Sequence, residues 1–321
     1  MKVFLRTKYG STDVLFIKDI EKSSPKENKV LVKVCAASVN VDDLEHLRGT
    51  FAVRMSGPLK PKYKILGSDI AGRIEAVGNN VKQFKLGDEV FGDLTEYGFG
   101  GFAEYVCVSE DALVLKPANL SFEEASTLTS RASIAVRYLR AKRQIQPGDK
   151  VLVNGAGGGV GTFAVQIAKY FGAEVTGVDS TAKLDMLRYI GADNVIDYTR
   201  EDFTKNEQHY DLILDVSAHH SILEYKSALS ENGIYLIVGG SRSSILQALL
   251  LGPFISMIGN KKMGIPFVGS KKEDLIFIKD LVEAGKVVPV IDRYFPFEEI
   301  PEALRYLEQG KQKGKIIINF K

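Results

Sequence analysis

The chain has 321 residues, 45% of them hydrophobic and 26% charged, which is enough apolar material for two domains and excludes a disordered chain. Its 42 basic and 40 acidic residues leave a net charge of +2, so neither nucleic acid nor an anionic membrane is an expected partner. Two cysteines, Cys35 and Cys107, cannot make a disulfide framework, and no Cys/His cluster is present. Each lies in an apolar strand-like run and is expected as a small buried hydrophobe, and such sparing use suits a reducing, cytoplasmic compartment.

Residues 1–10 alternate as a charged strand and lack the apolar core of a signal peptide. Up to about residue 117, β-branched or alternating runs (30–34, 70–77, 104–108) are separated by turns such as Gly78-Asn79-Asn80 and Gly87-Asp88, which reads as a β-rich barrel or sandwich. Ser121, with Glu124 three residues on, makes a capping box and starts a helix. Beyond Lys150, strands at 151–154, 174–178, 194–196, 212–214 and 234–238 alternate with helices such as 162–171 and 182–190. Near-continuous apolar strands joined by helices predict a parallel sheet with both faces covered. The most apolar stretch, 245–258, is too short to span a bilayer and is broken by Gly252-Pro253; a buried or lid-like helical segment is expected. Helices over 272–284 and 300–308, ended by Gly285 and Gly310, precede a closing strand over 315–320. Basic groups such as Lys60/Lys62/Lys64 and Lys261/Lys262 have no interleaved aromatic platform and read as solvated surface.

The strongest chemical signal follows the strand at 151–154. It is Gly155-Ala156-Gly157-Gly158-Gly159-Val160-Gly161, which opens a helix within a βαβ unit. A dinucleotide brings its pyrophosphate against the main chain, where a side chain would hold it off, and the helix N-terminus offers N–H groups to the phosphates. The fingerprint is AxGxxG, with Ala156 in place of the first glycine. The next strand ends at Asp179, whose carboxylate suits the adenosine ribose hydroxyls and repels a 2′-phosphate. Asp179 thus argues for NAD, whereas Ser180, Lys183 and Tyr198 allow NADP; Asp179 and Ser180 could instead cap the helix from Thr181. Val216-Ser217 and Val238-Gly239-Gly240 follow later strands and are expected near the ribose and nicotinamide.

With these motifs, the chain resembles the zinc-free quinone-oxidoreductase branch of the medium-chain dehydrogenase/reductase superfamily. The resemblance spans almost the whole chain. It is carried by Asn40-Val41-Asp42-Asp43, by Leu66 to Gly72, by Glu75-Ala76-Val77-Gly78, by Gly87 to Gly92, by Gly101-Phe102-Ala103-Glu104-Tyr105, by the glycine turn, by Gly191 to Tyr198 and by Gly314-Lys315. It implies an α/β fold in which a doubly wound Rossmann sheet (119–268) is inserted into a β-rich GroES-like domain (1–118), rejoined by the tail (269–321). It further implies an active site in the cleft between the domains, hydride transfer with NAD(P)H, and a homodimer formed by extending the Rossmann sheets edge to edge. Zinc-dependent relatives carry cysteine, histidine and glutamate where this chain has Asn40, Ser68 and Asp69, so no zinc is expected. The tyrosines that some quinone reductases carry after the Asn-x-x-Asp motif are missing from residues 44–51.

Asn40 is expected to donate a hydrogen bond to the nicotinamide ribose or the substrate oxygen, or alternatively to make an Asx-turn. Ser68 either lines the same pocket or serves a local turn, and Asp69 is expected to hold the backbone of the 67–72 segment. His46, His219 and His220 read as surface or capping residues, which leaves solvent as the source of the final proton. The expected activity is NAD(P)H-dependent reduction of a small electron acceptor, a quinone or an α,β-unsaturated carbonyl. The alternatives are a metal-free alcohol dehydrogenase or carbonyl reductase, and an NAD(P)-binding redox sensor with little turnover.

Overall fold

The structure, a computed structural model, describes residues 1–141, 143–266 and 271–320. Strands β1 (Lys2–Leu5) and β2 (Phe16–Asp19) form an antiparallel pair. Strands β3 (Lys29–Val39), β4 (Asp69–Val77), β5 (Glu89–Asp93), β6 (Tyr105–Ser109) and β7 (Leu113–Leu115) follow, with helices α1 (Val41–Arg48), α2 (Phe51–Arg54) and α3 (Phe122–Ala125). Alternation builds the core here: Val30, Val32 and Val34 of β3 are buried while Lys29 and Lys33 face solvent. Cys35 and Cys107, expected buried, are half-buried. Helix α3 has the predicted capping box, with Ser121 and Glu124 bonding each other's main-chain N–H groups.

Helix α4 (Ser130–Arg140) leads into β8 (Lys150–Asn154), α5 (Gly161–Tyr170), β9 (Glu174–Asp179), α6 (Leu184–Tyr189), β10 (Asn194–Asp197), β11 (Tyr210–Asp215), α7 (Ile222–Ser227), β12 (Leu229–Ile237), α8 (Arg242–Ile258) and β13 (Lys262–Gly264). The six strands are all parallel, in the order β10-β9-β8-β11-β12-β13. The winding direction reverses between β8 and β11, and such a switch point is where open α/β sheets bind ligands. Two features correct the sequence reading. Helix α8 runs unbroken for 17 residues with Pro253 inside it, and only one side of it is buried, at Ser244, Ala248 and Gly252, while Leu250, Phe254, Met257 and Ile258 are exposed. Its companion β13 was not anticipated. Ser256 accepts from the N–H of Met263 (2.9 Å), and a side chain at Gly252 would meet the Met263 carbonyl at 2.7 Å, so glycine lets strand and helix approach.

The tail supplies α9 (Lys272–Glu283), β14 (Ile291–Pro296), α10 (Ile300–Glu308) and β15 (Lys315–Asn319). Strands β14 and β15 complete a seven-stranded sheet, ordered β14-β15-β3-β4-β5-β7 with β6 also on β3. Two compact units result. Unit 1 is Met1–Ser130, Lys271–Glu283 and Ile291–Lys321; unit 2 is Arg131–Ser270 and Ala284–Val290. Residues 119–130, assigned above to the Rossmann segment, group with unit 1, where the Ser38 hydroxyl, whose one hydrogen is shared with Asp69, lies 3.1 Å from the Ser126 carbonyl. Ala284–Val290 groups with unit 2, held by paired bonds between Val288 and the Gln166 amide (2.8 and 3.0 Å).

Candidate active site

The glycine turn is fastened to its sheet. Gly155, at φ +77°, and Ala156 both donate to the Val178 carbonyl (3.0 and 3.1 Å). Ala156 is fully buried, so alanine at the fingerprint's first position packs inward and takes no space from a ligand. At Gly161 a β-carbon would lie 2.3 Å from the Gly155 carbonyl, so glycine is required for α5 to meet the loop. At Gly158, half-buried like Gly159, the nearest atom to an added β-carbon is the Gly155 carbonyl at 3.5 Å, which leaves an open cradle. Val160 precedes α5, and in its first turn the buried Thr162 hydroxyl oxygen has no partner among the described residues. Open glycines, an orphaned hydroxyl and a helix N-terminus suit a dinucleotide's diphosphate.

Asp179 is buried at the end of β9. It accepts from the N–H groups of Gly157 and Ser180 (both 2.8 Å) and pairs with the equally buried Lys183 ammonium at 3.3 Å. The Ser180 side chain makes no cap bond to the short helical turn after it. Asp179, Ser180 and Lys183 are thus brought together, whereas the Tyr198 ring is exposed although its N–H reaches the Asp179 carbonyl (3.3 Å).

Across the switch point, the Ser217 N–H bonds the Asp215 carboxylate (3.2 Å) and the Val216 N–H bonds the Asn154 carbonyl (2.9 Å). The Val238 N–H bonds the Asp215 carbonyl (2.7 Å), and the Gly239 carbonyl accepts from Ala218 (3.0 Å). Gly240, at φ +145°, would bring a β-carbon within 2.3 Å of the Ala218 carbonyl. The expected cofactor segments 216–217 and 238–240 therefore form one hydrogen-bonded ledge. Its anchor is Asp215, which the sequence reading passed over: a fully buried carboxyl, pushed upward by burial and held by Asn154 Nδ2 (2.8 Å) and the Tyr235 hydroxyl (3.1 Å). His219 is exposed, as expected. His220 is half-buried beside Phe203 and Tyr225, and burial lowers its pKa.

Unit 1 holds a second buried polar cluster, where β3, β4 and β15 meet. In register, Ser38 faces Asp69 and Val39 faces Ile316, which sets Asn40 beside Lys315. Asn40, Ser68, Asp69 and Lys315 are all at most 2% exposed. Asn40 Nδ2 donates to Asp69 (2.8 Å) and Ser68 (3.2 Å), with the Ser38 carbonyl at 3.4 Å, while its Oδ1 accepts from the Lys315 ammonium (2.6 Å). Asp69 also accepts from the hydroxyls of Ser38 (3.0 Å) and Ser130 (3.1 Å) and pairs with Lys315 (3.2 Å). Asp43 grips the start of the 67–72 segment, accepting from the N–H groups of Gly67 (3.0 Å) and Asn40 (2.9 Å). His46, expected as a surface or capping residue, is half-buried, its ring 4.5 Å from Phe99 and 5.8 Å from Tyr63. Among the described residues, no group of three or more His, Cys, Asp or Glu side chains is placed to hold a metal ion.

Burial lifts the Asp43 carboxyl to about 7 against the opposing N–H bonds from Asn40 and Gly67, with Asp69 and Asp42 adding to the lift. The folded state then holds the Asp43 proton more tightly than the unfolded chain does. Its contribution to stability is present at acid pH, declines as the pH rises from about 4 through 7, and is gone above that. Urea unfolding at pH 5 and pH 8 is expected to show this decline, and Asp43→Asn to flatten it. An unchanged slope in the variant would contradict the assignment.

With this geometry in place, comparison with known proteins is decisive. The alcohol dehydrogenase GroES-like domain matches residues 26–118, and the zinc-binding dehydrogenase family matches residues 190–318. The 2-methylene-furan-3-one reductase of Solanum lycopersicum is 35% identical over 99% of this chain and 79% of its own length. This chain belongs to the medium-chain dehydrogenase/reductase superfamily, in its quinone-oxidoreductase-like branch. An NADPH-dependent alkenal/one oxidoreductase of Arabidopsis thaliana, a chloroplastic protein, is 32% identical over 99% of the chain and 79% of its own length. The solved quinone oxidoreductase from Coxiella burnetii superposes with a TM-score of 0.88 at 27% identity, covering 100% of this chain and 99% of that one. As a member of this superfamily the chain is an oxidoreductase with a nicotinamide cofactor. No helix among the described residues is long and apolar enough to cross a membrane.

Proposed function

We propose that this protein reduces a small electron-poor acceptor, a quinone or an α,β-unsaturated carbonyl, by hydride transfer. The observation that carries the reading is the glycine turn of unit 2, pinned to β9 and open at Gly158, in a chain whose relatives are named for reducing such acceptors. The bound dinucleotide supplies the hydride. The chain's residues bind and orient: Gly155 to Gly161 cradle the diphosphate, Asp179 takes the adenosine ribose, and the ledge of Val216, Ser217, Val238, Gly239 and Gly240 flanks the nicotinamide end. Asn40 and Ser68 act as one hydrogen-bonded unit at the reacting end, with solvent protonating the product. A quinone or enone spreads its developing charge, so no metal is required.

NADH is the preferred donor: an acidic residue closing β9, Asp179, favours ribose hydroxyls over a 2′-phosphate, and it already occupies Lys183. The working unit is a homodimer in the cytoplasm. The exposed apolar side of α8 runs beside the edge strand β13, whose outer main-chain groups have no neighbouring strand among the described residues. Sedimentation is expected to give twice the chain mass, and Phe254→Asp to give monomer; a wild-type monomer would rule the dimer out. Steady-state assays of 1,2-naphthoquinone, an enone and a primary alcohol with each dinucleotide test the activity. Turnover of the first two supports it. Turnover of the alcohol alone would move the reading to a metal-free alcohol dehydrogenase, and binding without turnover to a redox sensor.

A further inference from the structure

We propose that Lys315 is a positioning residue for hydride transfer, acting through Asn40: its ammonium fixes which way the Asn40 carboxamide faces and makes that amide a stronger hydrogen-bond donor. The inference rests on the reading of Asn40 given above.

An asparagine amide can sit in two orientations related by a flip, and its neighbours choose between them. Here the Lys315 ammonium lies 2.6 Å from Oδ1 and the Asp69 carboxylate 2.8 Å from Nδ2. Flipping the amide would set donor against donor at Lys315 and acceptor against acceptor at Asp69. One orientation is therefore imposed from both ends. The bond from the ammonium also draws charge from the amide carbonyl, which leaves the Nδ2 hydrogens more positive, since hydrogen bonds in series polarise one another in a low-dielectric interior. Those hydrogens are unequally engaged. One faces Asp69 at 2.8 Å; the other is left between the Ser68 hydroxyl at 3.2 Å and the Ser38 carbonyl at 3.4 Å, both long contacts. The second hydrogen is the one that can exchange its partners for a stronger acceptor, such as an oxygen gaining negative charge.

Keeping an ammonium and a carboxylate at 2% and 0% side-chain exposure is expensive, and apolar residues of the same volume commonly give equal or greater stability. Lys315 also precedes three buried isoleucines, Ile316-Ile317-Ile318, where stability alone favours another hydrophobe. The cost is intelligible if the charge serves the reaction.

The test compares Lys315→Met, Lys315→Arg and the double variant Asp69→Asn/Lys315→Met, which removes both charges and so guards against a lone buried carboxylate preventing folding. Each is assayed with NADH and with NADPH against an enone and against 1,2-naphthoquinone, with the dinucleotide Kd measured separately. The expected result for Lys315→Met and for the double variant is a fall in kcat of about tenfold or more for the enone, whose enolate charge is spread over fewer atoms, a smaller fall for the quinone, whose charge is shared with an aromatic ring, and a Kd within about twofold of wild type. Lys315→Arg keeps the charge and is expected to restore part of kcat. Enone and quinone rates falling by one common factor would reduce Lys315 to a structural role, and wild-type kcat in a folded Lys315→Met or double variant would overturn the inference. If the wild type itself turned over neither substrate, the proposed function would fail before this inference was reached.

Discussion

Gly158→Val is expected to leave the protein folded and to weaken NADH binding by about 100-fold, or ~2.7 kcal/mol. The backbone at Gly158 lies outside the left-handed region, and the nearest atom to an added β-carbon is the Gly155 carbonyl at 3.5 Å, so the fold has room for a side chain. A diphosphate resting on the main chain does not, because the new methyl groups would stand where its oxygens approach. Gly161→Val is the contrasting variant. Its β-carbon would meet the Gly155 carbonyl at 2.3 Å and the Ala156 Cα at 2.5 Å, so α5 has to move and both stability and binding are expected to fall. Calorimetry and a binding titration on the two variants separate space needed by the fold from space needed by a ligand. Gly158→Val binding NADH as tightly as wild type would show that the turn is only a turn.

Asp179→Ser is expected to raise the preference for NADPH over NADH by about tenfold or more, through two effects of one change. It removes the carboxylate that repels a 2′-phosphate, and it releases the Lys183 ammonium, now 3.3 Å from Asp179, to pair with that phosphate. The variant also forfeits the bonds from Gly157 and Ser180 to Asp179, so a loss of about 1–3 kcal/mol in stability is expected. The ratio of kcat/KM for the two dinucleotides is the readout. An unchanged ratio would remove Asp179 from the specificity argument.

The Rossmann half was readable because its signals are local. Apolar runs mark β8 and β9, a glycine turn joins β8 to α5, and each lies within a few residues of the next. Strand β13 was not readable, since three residues, Lys262–Gly264, become a strand only by pairing with Ile234, Tyr235 and Leu236. Helix α8 misled for a related reason. A proline usually ends a helix, but here the Ser256 side chain and the close packing at Gly252 tie the helix to β13 across the interruption. At the site, Asn40 and Ser68 were singled out because zinc-dependent relatives carry metal ligands at those positions, yet what governs them lies far along the chain. Lys315 is 275 positions from Asn40, and only the antiparallel register of β15 on β3 brings the two together. The available hints were a lysine opening a triple-isoleucine strand and an aspartate closing the apolar strand at Asp215; charged residues inside buried runs signal partners without naming them.

The central claim is that the turn from Gly155 to Gly161 holds a nicotinamide dinucleotide. Titration of the wild-type protein with NADH and with NADPH, followed by nicotinamide fluorescence, tests it most directly. Saturable enhancement at one site per chain with at least one of them is the predicted result, and fluorescence that rises with both only as for the free dinucleotide in buffer would contradict it.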